Sequence, residues 1–412
     1  MSKCVRALIM ATSAVMTVSA PIFADDTTEV LNGQLNLDAA ISVVANGEAA
    51  TANTAAMTAV GMANALTGDF ETAHDVTSDQ TFSGSVATSA TTTAGIVYGS
   101  AITTSSAIGN SANLIHDETM DAALAQTALD GSSVASEASL NVSSYAMSSV
   151  TTATATANAY GSVSYGGDNT LDLRQDSGAD VAADSYVLAP TGGLGWSAAS
   201  VAAANGNSAS IEGYFMGPSQ LVDLDQDNRG AVRASANLEA GGGGEETQVI
   251  ASANGNSAWM QNENGYAHLQ GSQDNAGQVD AEANAEIGNF DIDVVTLSAE
   301  GVGNSAIISN IGADAYMGLD QTNNGAVNAT TNFTGGAGGV ALASATAFGN
   351  AATTYVCSEC PVTAYGNMNQ TNNAAITSNV TGHMTSGSLL SGTATAIGNS
   401  ATFQSVSPRS GN

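Results

Sequence analysis

Cations are what this chain most lacks: Lys3 and Arg6 are two of its six basic residues, so past residue 24 there is no lysine and only four arginines. A surface so poor in positive charge repels nucleic acid and anionic membranes, and neither is expected as a partner. Aromatic residues are also scarce, at 5% of the chain. With 45 glycines and abundant Ala, Ser, Thr and Asn, that scarcity argues against one thick core of interlocking large side chains. Many thin layers of small side chains fit better. Catalytic patterns are missing as well: no Gly-x-Ser-x-Gly, phosphate loop or His-Glu-x-x-His occurs, and no cofactor signature is present. A solenoid lyase or hydrolase needs paired carboxylates or a base. Here the acids are spread and the bases nearly absent, so the chain is not expected to be an enzyme.

What is present begins with Lys3 and Arg6, an apolar run from Ala7 to Val18, and Pro21-Ile22-Phe23-Ala24 just before Asp25 and Asp26. This is the layout of a secretory signal peptide, and residues 1–24 are expected to be one. The run is too short to cross a bilayer, which takes about 20 helical residues. Cys4 lies before the run, where it cannot serve as a lipid-modified cleavage residue. Removing the segment takes two bases and none of the 37 acids, which moves the formal net charge from −31 to −33. Charged residues are only 10% of the chain and apolar ones 43%, so the acids read as a solvated surface on a folded protein.

Residues 25–412 are organised by a repeat, carried by two signals. The first is Gly followed by Asn and small residues, at Gly109-Asn110, Gly206-Asn207, Gly255-Asn256, Gly303-Asn304, Gly349-Asn350 and Gly398-Asn399, with degenerate copies placed at Gly61 and Gly161. These glycines are separated by 48, 52, 45, 49, 48, 46 and 49 residues. The second is a Gln before an Asn-rich turn, at Gln226, Gln321 and Gln370, with weaker members at Gln34, Gln80, Gln126, Gln175 and Gln273. Its spacings are 46, 46, 49, 51, 47, 48 and 49. Two independent markers sharing one period give eight units.

Between the markers, small or apolar residues alternate with polar ones, as from Ala341 to Phe348, which is the period of a strand. The expected fold is therefore all-β: a β-solenoid (β-helix) of about eight 48-residue repeats, each read as two strand-turn-strand layers of about 24 residues. Sixteen layers at about 4.8 Å give a rod of roughly 75 to 80 Å. Asn and Gln recurring at one position can stack into amide ladders, and glycine is expected to supply a left-handed conformation at the corners. Ser132–Thr156 and Gly241–Gly244 read as loops or insertions.

The Gln, Asn-rich turn and Gly-Asn-x-Ala elements resemble curlin repeats, and the chain resembles still more the holdfast anchor protein D family of stalked alphaproteobacteria. That resemblance implies a secreted surface protein that ties an adhesive holdfast to the outer membrane. It also implies partners: a curlin-like subunit, an outer-membrane secretion component and the holdfast polysaccharide or matrix, with self-assembly into fibres.

The remaining candidates are few. His74, His116, His268 and His383 share no repeat phase and read as surface or turn residues. Cys357 and Cys360 are expected to close a small disulfide loop beside Pro361, two thiols being too few for a zinc site. Asp223, Asp225 and Asp227 open like a calcium loop, but position 12 is Ala234 where a Glu is required, which excludes an EF-hand and leaves weak calcium binding by the acidic surface open. A ligand- or ice-binding solenoid is the alternative to the adhesive reading, yet Thr holds no fixed phase for a flat ice-binding face.

Overall fold

The computed structural model describes residues 8–10, 28–215 and 217–406. The expected leader, apart from Leu8–Met10, lies outside them. The fold is all-β, and no helix occurs among the described residues. Strands follow one another with little between them: nine-residue strands such as Gln220–Asn228, Ala267–Asn275 and Ala315–Asn323 alternate with long ones such as Val279–Ile311 and Val327–Cys357.

All strands pair in parallel except Leu8–Met10, which lies antiparallel on Ser42–Val44. Each interior strand has one partner a repeat earlier and another a repeat later. Ala251, for example, sits between Ala202 and Ala299. The unit of layering is thus the whole repeat. The expectation of two 24-residue layers per repeat is overturned, because backbone hydrogen bonds join residues a full period apart. Half-repeats face each other across the interior through side chains.

Burial explains how. In Glu246–Glu263 alternate residues point inward until Gly255 and Asn256, which are both buried, after which the alternation resumes on the opposite phase. The strand turns a corner there, as at a bulge. Val249, Ala251 and Ala253, before the corner, pack with Val232, Ala234, Ala236 and Leu238 in an alanine-rich core. Ala258 and Met260, after it, pack with Val222 and Leu224 in a second core richer in Leu and Met. Alanine's helical preference, a few tenths of a kcal/mol per residue, is outweighed because both of its neighbours along the sheet are the same small residue in the same register.

Of the two segments expected as loops, Ser132–Thr156 is almost entirely sheet, and Gly241–Gly244 is half strand and half connection. Ser133–Ser164 is one continuous strand in which Ser149, Thr151 and Ala153 are buried, and Val232–Gly242 runs into the Gly-rich stretch before a short connection. Low charge there marks interior packing against both neighbouring repeats.

Candidate functional site

Between the two apolar cores lies a polar interior of amides. Gln80, Gln126, Gln175, Gln226 and Gln273 are at most 1% exposed, and burying an unpaired amide costs about 1 to 3 kcal/mol. None of these is unpaired. Each donates one Nε2 hydrogen to the Oε1 of the Gln one repeat earlier: Gln80 to Gln34, Gln126 to Gln80, Gln175 to Gln126, Gln226 to Gln175, Gln273 to Gln226, Gln321 to Gln273 and Gln370 to Gln321, at 2.7 to 3.0 Å. The second hydrogen crosses the interior to a carbonyl beside the Asn marker, as from Gln226 to Ser257 at 3.0 Å.

The Asn column runs with the opposite polarity. Asn64 donates to Asn110, Asn110 to Asn158, Asn158 to Asn207, Asn207 to Asn256, Asn256 to Asn304, Asn304 to Asn350 and Asn350 to Asn399, at 2.7 to 2.8 Å and always one repeat onward. The spare hydrogen again crosses the interior, as from Asn256 to Asp274 O at 2.7 Å. Two columns of aligned amide dipoles pointing opposite ways offset each other's field, and chains of such bonds reinforce one another.

A third, shorter column joins Asn228 to Asn275, Asn275 to Asn323 and Asn323 to Asn372 at 2.8 Å, each also donating to a carbonyl two residues on. At the same register the earlier repeats carry Asn36, Phe82, Ala128 and Ser177.

The columns correct the marker assignments. Gly61 pairs with Ala107, and Gly161 with Asn113 and Ser210, so neither occupies a corner. The residues there are Ala63-Asn64 and Ala157-Asn158, which the Gly-Asn pattern missed. The Asn spacings themselves, 46, 48, 49, 49, 48, 46 and 49, would have found them. The glycine's role also differs from expectation. None of Gly109, Gly206, Gly255, Gly303, Gly349 and Gly398 has a positive φ. Gly255 is needed for close approach: a Cβ there would stand 2.6 Å from the Gly303 carbonyl oxygen and against Asn275 Oδ1. At Ala157 the register puts Ser177, not Asn, at the matching place of the following repeat, which removes the amide that a Cβ would meet there.

Charge lies outside. Arg229 Nη1 reaches Asp176 and Asp227 at 2.7 Å and Nη2 reaches Asp130 at 3.3 Å, one guanidinium serving carboxylates from three successive repeats. Asp223, Asp225 and Asp227 lie on the strand Gln220–Asn228 with Asp223 and Asp225 on its exposed face, so they form no loop. Among the described residues no group of three His, Cys, Asp or Glu side chains converges as for a metal ion. His268, Tyr316 and Tyr365 stand in register with ring centroids 4.7 and 5.4 Å apart. The first pair is tilted by 38° and the second meets edge-on at 61°, with Tyr365 exposed.

His116 is a correction to the surface reading of the histidines: it is 1% exposed, its Nδ1 is 2.7 Å from Glu118 O, and its Nε2 has no partner. Burial pushes its pKa below the ordinary 6.5, outweighing the Glu118 carbonyl and the Asp117 charge. Cys357 and Cys360, expected as a disulfide, stand unbridged in the structure. Parallel partners Ile311 and Val406 hold Cys357 extended at the end of its strand, and Cys360 lies in the bend beyond, with its N–H on Ser358 Oγ.

The family model for holdfast attachment protein D (HfaD) matches residues 48–327. No curated protein matches the chain. No solved structure matches it either. The matched span covers repeats with and without the Gly-Asn marker, and within it run the amide columns from Gln80 to Gln321 and from Asn64 to Asn304. On that match the chain belongs to the holdfast attachment protein D family.

Proposed function

We propose that the chain is a β-solenoid of eight coils, one per repeat, working outside the cell as a structural link that anchors an adhesive holdfast, or a similar matrix, to the outer membrane. Family membership, which implies a holdfast attachment function, is the observation that carries this reading. A rod of eight layers is roughly 38 Å long at about 4.8 Å per layer. Each coil relies on its neighbours for burial, so load is shared along the rod. In this reading residues 1–24 are the secretory leader, the protein has no enzymatic role, and its partners are a curlin-like subunit, an outer-membrane secretion component and the holdfast polysaccharide. The acidic outer face keeps the secreted chain soluble and turns partners toward neutral or cationic groups. Fibre assembly by end contacts belongs to the same proposal.

Deleting the gene in a holdfast-bearing cell and labelling the adhesive with a fluorescent lectin tests it. Cells should shed labelled holdfast onto the substrate while still making it. Holdfasts retained on deleted cells at the level of the parent would overturn the reading.

A further inference from the structure

The amide columns stop at both ends of the molecule with hydrogen-bonding groups unused, and the two ends are complementary. On the last repeat, Ala364–Asn372 and Ile376–Val406 pair on one side only, with Ala315–Asn323 and Val327–Cys357. There, among the described residues, Gln370 Oε1 accepts nothing, Asn372 Nδ2 donates only to Ala374 O, and Asn399 Nδ2 donates only to Gln370 O. The open positions are one acceptor and two donors. On the first repeat, among the described residues, Gln34 Nε2 donates only to Ala65 O, Asn64 uses both amide hydrogens, Asn36 uses one, on Ala63 O at 3.4 Å, and neither Asn accepts. The open positions are the Gln34 donor and the two Asn acceptors, with one Asn36 hydrogen also unused.

We infer that a second copy of this chain docks its first repeat on the last repeat of the one before it, so that Gln34 of one copy donates to Gln370 of the other while Asn372 and Asn399 donate to Asn36 and Asn64. This rests on the solenoid reading above and adds the polarity and register of assembly. Three independent observations favour a second copy over another occupant. All three columns continue with donor meeting acceptor, whereas two last-repeat ends with columns in line set the Gln370 oxygens against each other.

Asn36 supplies the second. Its own neighbour at that register is Phe82, followed by Ala128 and Ser177, so an Asn there has no amide to join within the chain. Yet it is only 8% exposed and occupies the place that follows Asn228, Asn275, Asn323 and Asn372.

The third is fit. The cross-interior bond spans 31 residues from Gln34 to Ala65 and 30 from Gln370 to Ser400, so the two end layers have matching contours. Both also expose apolar side chains, Leu35 and Val60 on one and Leu389 and Phe403 on the other. Leu8–Met10 cover three positions of the first edge, and they lie within the segment read as a leader, whose removal opens that edge. The charge of −33 left once residues 1–24 are removed opposes stacking, so assembly should strengthen with salt.

Residues 25–412 at rising concentration, followed by light scattering and negative-stain electron microscopy, test the inference. Rods in whole multiples of one chain length are expected, more of them in salt. Asn36→Phe, which suits the neighbouring Phe82, and Gln34→Glu, which sets oxygen against Gln370 Oε1, should each raise the concentration for stacking at least about tenfold. Circular dichroism and denaturant midpoints establish that each variant is folded. A folded chain that stays monomeric at all concentrations and salts, or stacking indifferent to Asn36→Phe and Gln34→Glu, overturns the inference. A monomeric chain whose deletion still sheds the holdfast refutes stacking alone, and a stacking chain whose deletion leaves the holdfast in place refutes the anchoring role alone.

Discussion

At the scale of single residues, stability depends on amides that are fully used. Gln226 makes both its donations and accepts from Gln273, so Gln226→Leu strands Gln175 Oε1, the Ser257 carbonyl and one hydrogen of Gln273. Denaturant unfolding should show a loss of about 3 kcal/mol, given ~1 to 3 kcal/mol for a stranded buried group. A loss under about 0.5 kcal/mol would mean that water replaces the column. His116 makes a pH prediction. Its pKa is depressed in the folded chain, so the unfolded chain binds the extra proton first as pH falls below the ordinary 6.5. Stability should therefore be constant above about pH 7 and decline as pH falls below the ordinary 6.5, and His116→Asn should flatten that decline. The raised pKa of Asp184, from burial opposed by Arg233, has the other sign and acts in a lower window, just above 3.8.

At the scale of strands and corners, the markers are legible in the sequence only as far as their chemistry repeats. The Gln spacing read along the chain is the spacing of the hydrogen-bonded column, because an inward amide with two neighbours of its kind tolerates no substitute. The Gly-Asn pattern misled at Gly61 and Gly161, since the glycine answers to bulk in the following repeat while the Asn answers to the column. Ala157 keeps Asn158 in place without any glycine. Gly255→Ala should consequently cost about 2 kcal/mol by overpacking against Gly303 and Asn275, read from a denaturant midpoint. Equal stability would show that the corner has room. Two features could not be read locally. Alternation with period two says that a strand exists but not which strand lies beside it, so halves facing through side chains looked like layers stacked through the backbone. Ser133–Ser164 looked like a loop because most of its inward residues are Ser, Thr and Ala, small enough to read as polar linker, with Val134, Leu140, Val142 and Tyr160 the larger ones among them.

At the scale of the whole molecule, a thin interior suits a rod. Ala-rich packing gives each layer little apolar area, and what compensates is that every interior layer has two faces covered and its amides paired along the axis. The negative outer face then works against association, leaving the ends, where backbone and amides are open, as the places for specific contact. The central claim is that one repeat makes one layer, and cross-linking reads it directly. With Cys4, Cys357 and Cys360 changed to Ser, Asp225→Cys and Ser272→Cys place thiols on outer-face residues that are register partners, Ser272 Oγ now lying 2.6 Å from Asp225 Oδ1. Oxidation should join them within one chain, while Asp225→Cys with Ile250→Cys, about half a repeat apart, should stay open. Ready closure of the Asp225 and Ile250 pair, with none between Asp225 and Ser272, would contradict whole-repeat layering and the columns built on it.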